Sequence, residues 1–221
     1  MLRVFTRPDG RGGNPLGVFL DGAAVPERER QRVAADLGFS ETVFVDDTAS
    51  GAIRTYTPTT ELRFAGHPSV GTAWLLRRER EPVESLQTQA GEVAVRYDGD
   101  ETHIAGRPEW APPFNHYELD SAAAVDALPG APERDPVAAA WAWEDRGAGL
   151  VRARVFPVAY GIEEDEATGA AAVRLGALLG RPFTIRQGRG SLIRVRPLGD
   201  GRVEIGGGVA VDEVREYSVG S

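Results

Sequence analysis

Apolar and polar positions alternate in short runs along the first half of the chain, and twice the alternation gives way to a helical period. The period-two runs predict strands over 3–6, 17–20, 41–45, 52–57, 92–97 and 102–106, several closed by Gly or Asp-Gly turns. Helical spacing predicts amphipathic helices over 27–37 and 68–80. A proline-rich stretch, Arg107-Pro108-Glu109-Trp110-Ala111-Pro112-Pro113, then breaks the pattern and reads as a linker or crossover. Beyond it, Ala-rich windows predict helices over 121–128 and 136–145. A strand over 150–156, a helix over 168–179 and strands over 183–187, 192–196 and 202–205 follow.

The second half repeats the order of the first. At a constant offset of 103, Gly66 aligns with Gly169, Val70 with Val173, Leu75 with Leu178 and Leu76 with Leu179. Each half therefore carries a Gly-led helix with apolar residues nearly all round, which suits the centre of a wrapped sheet better than an exposed face. The expectation is an α+β protein of two pseudo-equivalent units, residues 1–113 and 114–221, with the last residues packing back on the first unit.

Composition narrows the chemistry. Among 221 residues there is no cysteine, which removes disulfides, thiolate metal sites and a cysteine acid/base. All 25 basic residues are arginine, so Schiff-base chemistry, pyridoxal phosphate anchoring and the P-loop lysine are excluded as well. The net charge of -8 and the scattered arginines argue against nucleic acid as a partner. No long apolar core follows the N-terminal charges and no membrane span is expected, so the reading is a cytoplasmic protein. His67, His103 and His116 are dispersed without metal-ligand spacing, and no metal site is expected.

Three segments could carry a reaction. In Phe64-Ala65-Gly66-His67-Pro68, a Gly-His pair opens a helix that has proline at its start, so unpaired backbone N–H groups and the positive helix end can hold a carboxylate. In Glu163-Glu164-Asp165-Glu166-Ala167-Thr168-Gly169-Ala170, acidic residues run into the second Gly-led helix. Asp165 is the candidate there, while Glu163, Glu164 and Glu166 read as surface complements to the helix dipole. In Ser40-Glu41-Thr42-Val43-Phe44-Val45, a carboxylate opens an apolar strand whose neighbours would desolvate it. Its pKa would then rise toward the range useful for exchanging a carbon-bound proton.

Gly13-Asn14-Pro15-Leu16-Gly17-Val18-Phe19, Ser40-Glu41-Thr42, Ala65-Gly66-His67-Pro68-Ser69 and Asp165-Glu166-Ala167-Thr168-Gly169, in this order, resemble the PhzF-like family. The resemblance implies a diaminopimelate-epimerase-like fold, with two pseudo-symmetric α/β domains, a sheet wrapped around a central helix in each, and an active site between them. It implies a cofactor-free isomerase or epimerase acting on a small carboxylate-bearing substrate such as 2,3-dihydro-3-hydroxyanthranilate, and a homodimer. Glu41 would be the acid/base, with His67 and Asp165 orienting the substrate. Gly66, Ser69, Thr168, Gly169 and Ala170 would bind it. The family usually has Pro and Ser where this chain has Glu166 and Ala170, and the second half is shorter than is typical, with 187–191 a contracted loop. Those departures support a competing reading, a small-molecule-binding or protein-interaction module that kept the fold. A cysteine-free racemase with Asp165 as second base is a third.

Overall fold

The computed structural model describes residues 1–217. In the first half, β1 (Leu2–Thr6), β2 (Gly12–Phe19), α1 (Glu27–Leu37), β3 (Glu41–Asp47), β4 (Ala52–Tyr56) and β5 (Glu61–Leu62) precede α2 (Gly66–Glu79). After it come β6 (Ser85–Thr88), β7 (Gly91–Asp98) and β8 (Glu101–Gly106). The second half holds β9 (Asn115–Glu118), α3 (Ala122–Asp126), β10 (Ala138–Asp145), β11 (Leu150–Phe156), α4 (Gly169–Leu179), β12 (Phe183–Gln187), β13 (Ser191–Pro197) and β14 (Val203–Val211).

All the strands join in one sheet, in the order β1-β2-β3-β4-β6-β7-β8-β14-β13-β12-β11-β10-β9, with β5 beside β4. β14 occupies a special place. It pairs antiparallel with β8 through Ile205 and Ile104, with β13 through Ile205 and Val195, and with β1 through Val211 and Leu2. The β1–β14 pairing closes the strands of the first half into a ring, and α2 fills that ring. Val70, Thr72, Ala73 and Leu76 of α2 are fully buried. α4 occupies the curve of β9 to β14, with Val173, Ala172 and Leu175 buried. Burial of each such aliphatic side chain contributes about 1.5–3 kcal/mol, so these two helices hold much of the core.

β3 shows how sequence pattern becomes position. Val43 and Val45 point to the core around α2, while Phe44 points to the opposite layer, where Val33 and Ala34 of α1 and Tyr56 of β4 cover it. Burial on both faces explains the nearly continuous apolar run. Alternation places Glu41 on the same face as Val43 and Val45, toward α2. α1 ends at Gly38 in the left-handed conformation (φ +68°), which stops the helix and feeds β3.

Two expectations are corrected. Residues 136–145 do not form a helix: Ala138–Asp145 is β10, paired with β11 and β9. Its Ala content favours helix, but Trp141 and Trp143 lie two apart and meet edge to face at 6.0 Å, a strand spacing that tertiary packing selects. α4 is also not buried all round, because Leu178 is 63% exposed. The proline-rich crossover packs rather than dangling. Trp110 lies 5.9 Å from the Phe64 ring, and the Ala111 carbonyl accepts two hydrogen bonds from Arg174 of α4.

Candidate active site

The two central helices meet start to start. A Cβ placed on Gly169 would sit 2.7 Å from the His67 backbone nitrogen and 2.8 Å from Gly66 Cα, closer than any side chain could stand. Glycine at both positions therefore permits the contact. The first backbone N–H groups of both helices, at Gly66 and His67 and at Gly169 and Ala170, have no partner inside their own helix and share one neighbourhood. Two positive helix ends converge there.

A narrow cleft, continuous with solvent, opens over this contact. Glu41, His67, Asp165, Gly66, Thr168, Gly169 and Ala170 all border it. Its remaining wall is largely apolar, with Leu62, Phe64, Phe114, Tyr160 and Ile162. Ser69 does not border it: its hydroxyl donates to the Ala65 carbonyl at 2.8 Å inside the first turn of α2.

The ionisable groups are held with unusual protonation. Glu41 is withdrawn from water and its Oε2 has no hydrogen-bond partner, so desolvation raises its pKa to about 7, against a smaller opposing effect of the Ser40 hydroxyl. His67 is buried, and desolvation lowers its pKa to about 4 despite the Asp165 charge and a hydrogen bond to the Pro15 carbonyl. His67 Nδ1 lies 3.5 Å from Glu41 Oε2, an ion-pair distance, but a neutral imidazole beside a carboxyl of pKa about 7 is not an ion pair at neutral pH. Asp165 is raised to about 6, by desolvation first and by the charge of Glu41 second.

Asp165 sits in a hydrogen-bonded frame. Asn14 Nδ2 donates to its Oδ1 at 2.7 Å, and Thr168 Oγ1 donates to its Oδ2 at 2.6 Å. Gln187 Nε2 donates to the Asp165 carbonyl and to Thr168 Oγ1, both at 2.9 Å, while Gln187 Oε1 accepts from Thr168 N at 3.1 Å. Thr168 thus spends its hydroxyl on Asp165. Glu164 pairs with Arg154, as an exposed acid should, but Glu166 departs from the surface reading. Its carboxylate is only 12% exposed and accepts from Arg189 N and, at 2.7 Å, from Ser191 Oγ. Ser191 Oγ in turn accepts from Gly13 N at 2.9 Å, so Glu166 braces the 187–191 loop against β2 rather than capping α4.

Asn14 and Gln187 received no role from the sequence. A polar amide directly after a pair of glycines looks like turn chemistry, and only the chain path shows otherwise. Gly12 and Gly13 are left-handed (φ +71° and +88°), and Phe5 opposite them, buried, is also left-handed (φ +70°) at an irregularity in the β1–β14 register. Such a bulge re-aims the strand beside it, and here it directs Asn14 into the site.

Comparison with known proteins fixes the kinship of this arrangement. A family model described as phenazine biosynthesis-like protein, PhzC-PhzF, matches residues 2–138. The chain belongs to the PhzC-PhzF family. The trans-2,3-dihydro-3-hydroxyanthranilate isomerase of Pseudomonas fluorescens is 31% identical over 216 residues, covering 80% of this chain and 78% of that protein. An uncharacterized isomerase of Pasteurella multocida is 40% identical over 93 residues, which are 39% of this chain and 32% of that relative's length. This PhzC-PhzF chain also shares its fold with solved structures. A phenazine biosynthesis PhzC/PhzF protein from Clostridium difficile superposes with a TM-score of 0.76 at 20% identity, covering 98% of this chain and 97% of the other. A hydroxyproline epimerase from Agrobacterium vitis superposes with a TM-score of 0.53 at 16% identity, covering 94% and 79%. The fold is that of the diaminopimelate-epimerase-like proteins, and the PhzC-PhzF family is a family of isomerases.

Proposed function

We propose that this chain is a cofactor-independent isomerase that moves a proton between carbons of a small carboxylate-bearing substrate of the 2,3-dihydro-3-hydroxyanthranilate type. One observation carries the reading. Glu41 borders an apolar-walled cleft with a desolvated carboxyl, one oxygen of which is buried without a hydrogen-bond partner, at a pKa of about 7, so near neutral pH it can both give and take a proton. The substrate carboxylate docks on the free N–H groups where the two helices meet, and these same donors stabilise charge that develops as the proton leaves carbon. Asp165 and neutral His67 orient the polar part of the substrate, with Thr168, Gly169 and Ala170 beside them at the start of α4. The reaction needs one carboxyl because Glu41, once it has taken the proton, is the acid that returns it elsewhere. Residues 1–113 and 114–221 form the two units flanking the cleft, which rests on the repeat and the family, and the protein is a homodimer, which rests on the family alone, in the cytoplasm.

The test is proton NMR in deuterated water with 2,3-dihydro-3-hydroxyanthranilate and a panel of small unsaturated or amino carboxylates. Product formation or deuterium uptake at carbon is expected for at least one of them, and Glu41→Gln should lose it by three orders of magnitude or more while still binding that compound. Activity of the variant near that of the parent removes Glu41 from the chemistry. Tight binding without exchange across the panel would favour the binding-module reading instead.

A further inference from the structure

Two carboxyls share one cleft, and nothing in their residue types says which of them holds the proton. Their surroundings differ sharply. Both oxygens of Asp165 accept hydrogen bonds from neutral donors, Asn14 Nδ2 at 2.7 Å and Thr168 Oγ1 at 2.6 Å. Glu41 Oε2 accepts none. Donors directed at both oxygens favour the ionised form, because the hydroxyl oxygen of a protonated carboxyl is a much weaker acceptor than a carboxylate oxygen.

The orientation of Asn14 is fixed by more than Asp165. Its Nδ2 also donates to the Ala167 carbonyl at 2.9 Å, and its Oδ1 faces Ser40 Oγ at 3.4 Å. A flipped amide would set an acceptor oxygen against two acceptors, so the side chain can serve only as donor here. Thr168 is fixed in the same sense, since its hydroxyl oxygen already accepts from Gln187 Nε2 and its hydrogen is therefore free only for Asp165. Both arms come from different halves of the chain and both are buried, Asn14 at 3% exposure and Thr168 at 8%.

The geometry points to Asn14, acting with Thr168, as a cradle that keeps Asp165 an ionised acceptor and so leaves the mobile proton of the cleft on Glu41. Asn14 is in this sense a positioning residue: it touches Asp165, and through Asp165 it sets the state of the acid/base. Two other groups face Asp165. Glu41 on β3 is an acid and pushes the other way, while His67 at the start of α2 acts in the same sense as the cradle, but only through its charged form, which burial disfavours. β12 offers the amide of Gln187, which bonds the Asp165 backbone, and β11 offers only the Val155 carbonyl, which accepts from Asp165 N at 3.0 Å. The catalytic half of this inference rests on the role proposed above for Glu41; the electrostatic half does not.

The experiment is a pH titration of the ligand-free protein, carrying 13C-labelled Asp and Glu side-chain carboxyls, followed by NMR. Asp165→Asn and Glu41→Gln assign the two signals. In the parent protein, the signal of Asp165 is expected to titrate at lower pH than that of Glu41. Asn14→Leu removes one arm and Thr168→Val the other, and each is expected to raise the Asp165 midpoint by about one pH unit or more, bringing it up to or past that of Glu41. If Asn14→Leu does not fold, Thr168→Val, which keeps shape and volume, carries the test. An Asp165 midpoint that stays in place in every folded variant, or a parent protein in which Glu41 titrates first, overturns the cradle. Because no substrate is involved, the outcome is separate from that of the isomerase assay: shifted midpoints with no turnover of any compound would leave the cradle standing and defeat the enzyme reading. With a substrate in hand, the limb of the kcat/KM profile that follows Asp165 should move with the NMR midpoint, whereas loss of mere packing would lower activity without moving it.

Discussion

Glu41 is stored in a state that costs the folded chain stability. Its pKa is about 7 in the fold against an ordinary 4.5, so the native state binds the proton more tightly than the unfolded state does. Stability contributed by this group is therefore fully present below about pH 4.5 and is lost as pH rises through 7. Glu41→Gln resembles the protonated form at every pH. It should stabilise the protein at pH 8 by on the order of 3 kcal/mol, with the gain shrinking toward zero near pH 4.5, as read from urea unfolding at both values. An unchanged midpoint of denaturation at pH 8 would show that Glu41 is not desolvated. His67 works in the opposite direction, because a pKa lowered from 6.5 to about 4 removes stability as pH falls through that window. The same substitution should therefore leave a protein more sensitive to mild acid than its parent. Activity and stability are opposed at this one side chain.

At the scale of elements, the contact between the starts of α2 and α4 sets the geometry of the cleft. Gly169→Ala would press a methyl against the backbone of His67 and Gly66, which cannot turn aside as a side chain could. A loss of about 1–3 kcal/mol and a marked fall in turnover are expected, read by thermal unfolding and by the exchange assay. Gly130→Ala, where nothing lies within 4 Å, serves as the neutral control. Unaltered melting and turnover in Gly169→Ala would mean that the two helices are free to separate.

Much of this scale was legible in the sequence. Gly66 and Gly169 stand out because a glycine opening an apolar helix is a local pattern, and the offset of 103 residues pairs them within the sequence itself. Glu41, His67 and Asp165 were legible for similar reasons, since each is a polar residue at the mouth of an apolar element, and the structure brings all three to one cleft. Asn14 was not, because its partner lies 151 residues away and is reached only through a strand bent by left-handed residues. Glu166 was misread because an acid before a helix usually serves the dipole, and only the return of 187–191 shows another use. The helix expected over 136–145 gives way to the strand Ala138–Asp145 because alanine propensity masks the two-residue spacing of Trp141 and Trp143.

The whole molecule is tied together by β14. The ring around α2 is incomplete without it, since β8 and β1 would each expose an unpaired edge, and the sheet around α4 would lose its innermost strand. A fragment of residues 1–113, or a chain cut after residue 202, is therefore expected to lack the dispersed amide NMR spectrum and cooperative unfolding of the full protein. Cooperative folding of the truncated chain would show that the ring closes by other means.

The position of that strand in the sequence also governs how the protein comes into being. Residues 2–6, which leave the ribosome well before residues 208–211, must wait for them before they gain their second neighbour. The N-terminal half cannot finish folding while the C-terminal half is still being made, even though its own helix and most of its strands are already outside. Contacts of such long sequence separation make for slow folding and for a period in which strand edges lie open to other chains. Synthesis thus leaves the nascent chain exposed to aggregation until β14 arrives, and that strand completes both halves in a single event.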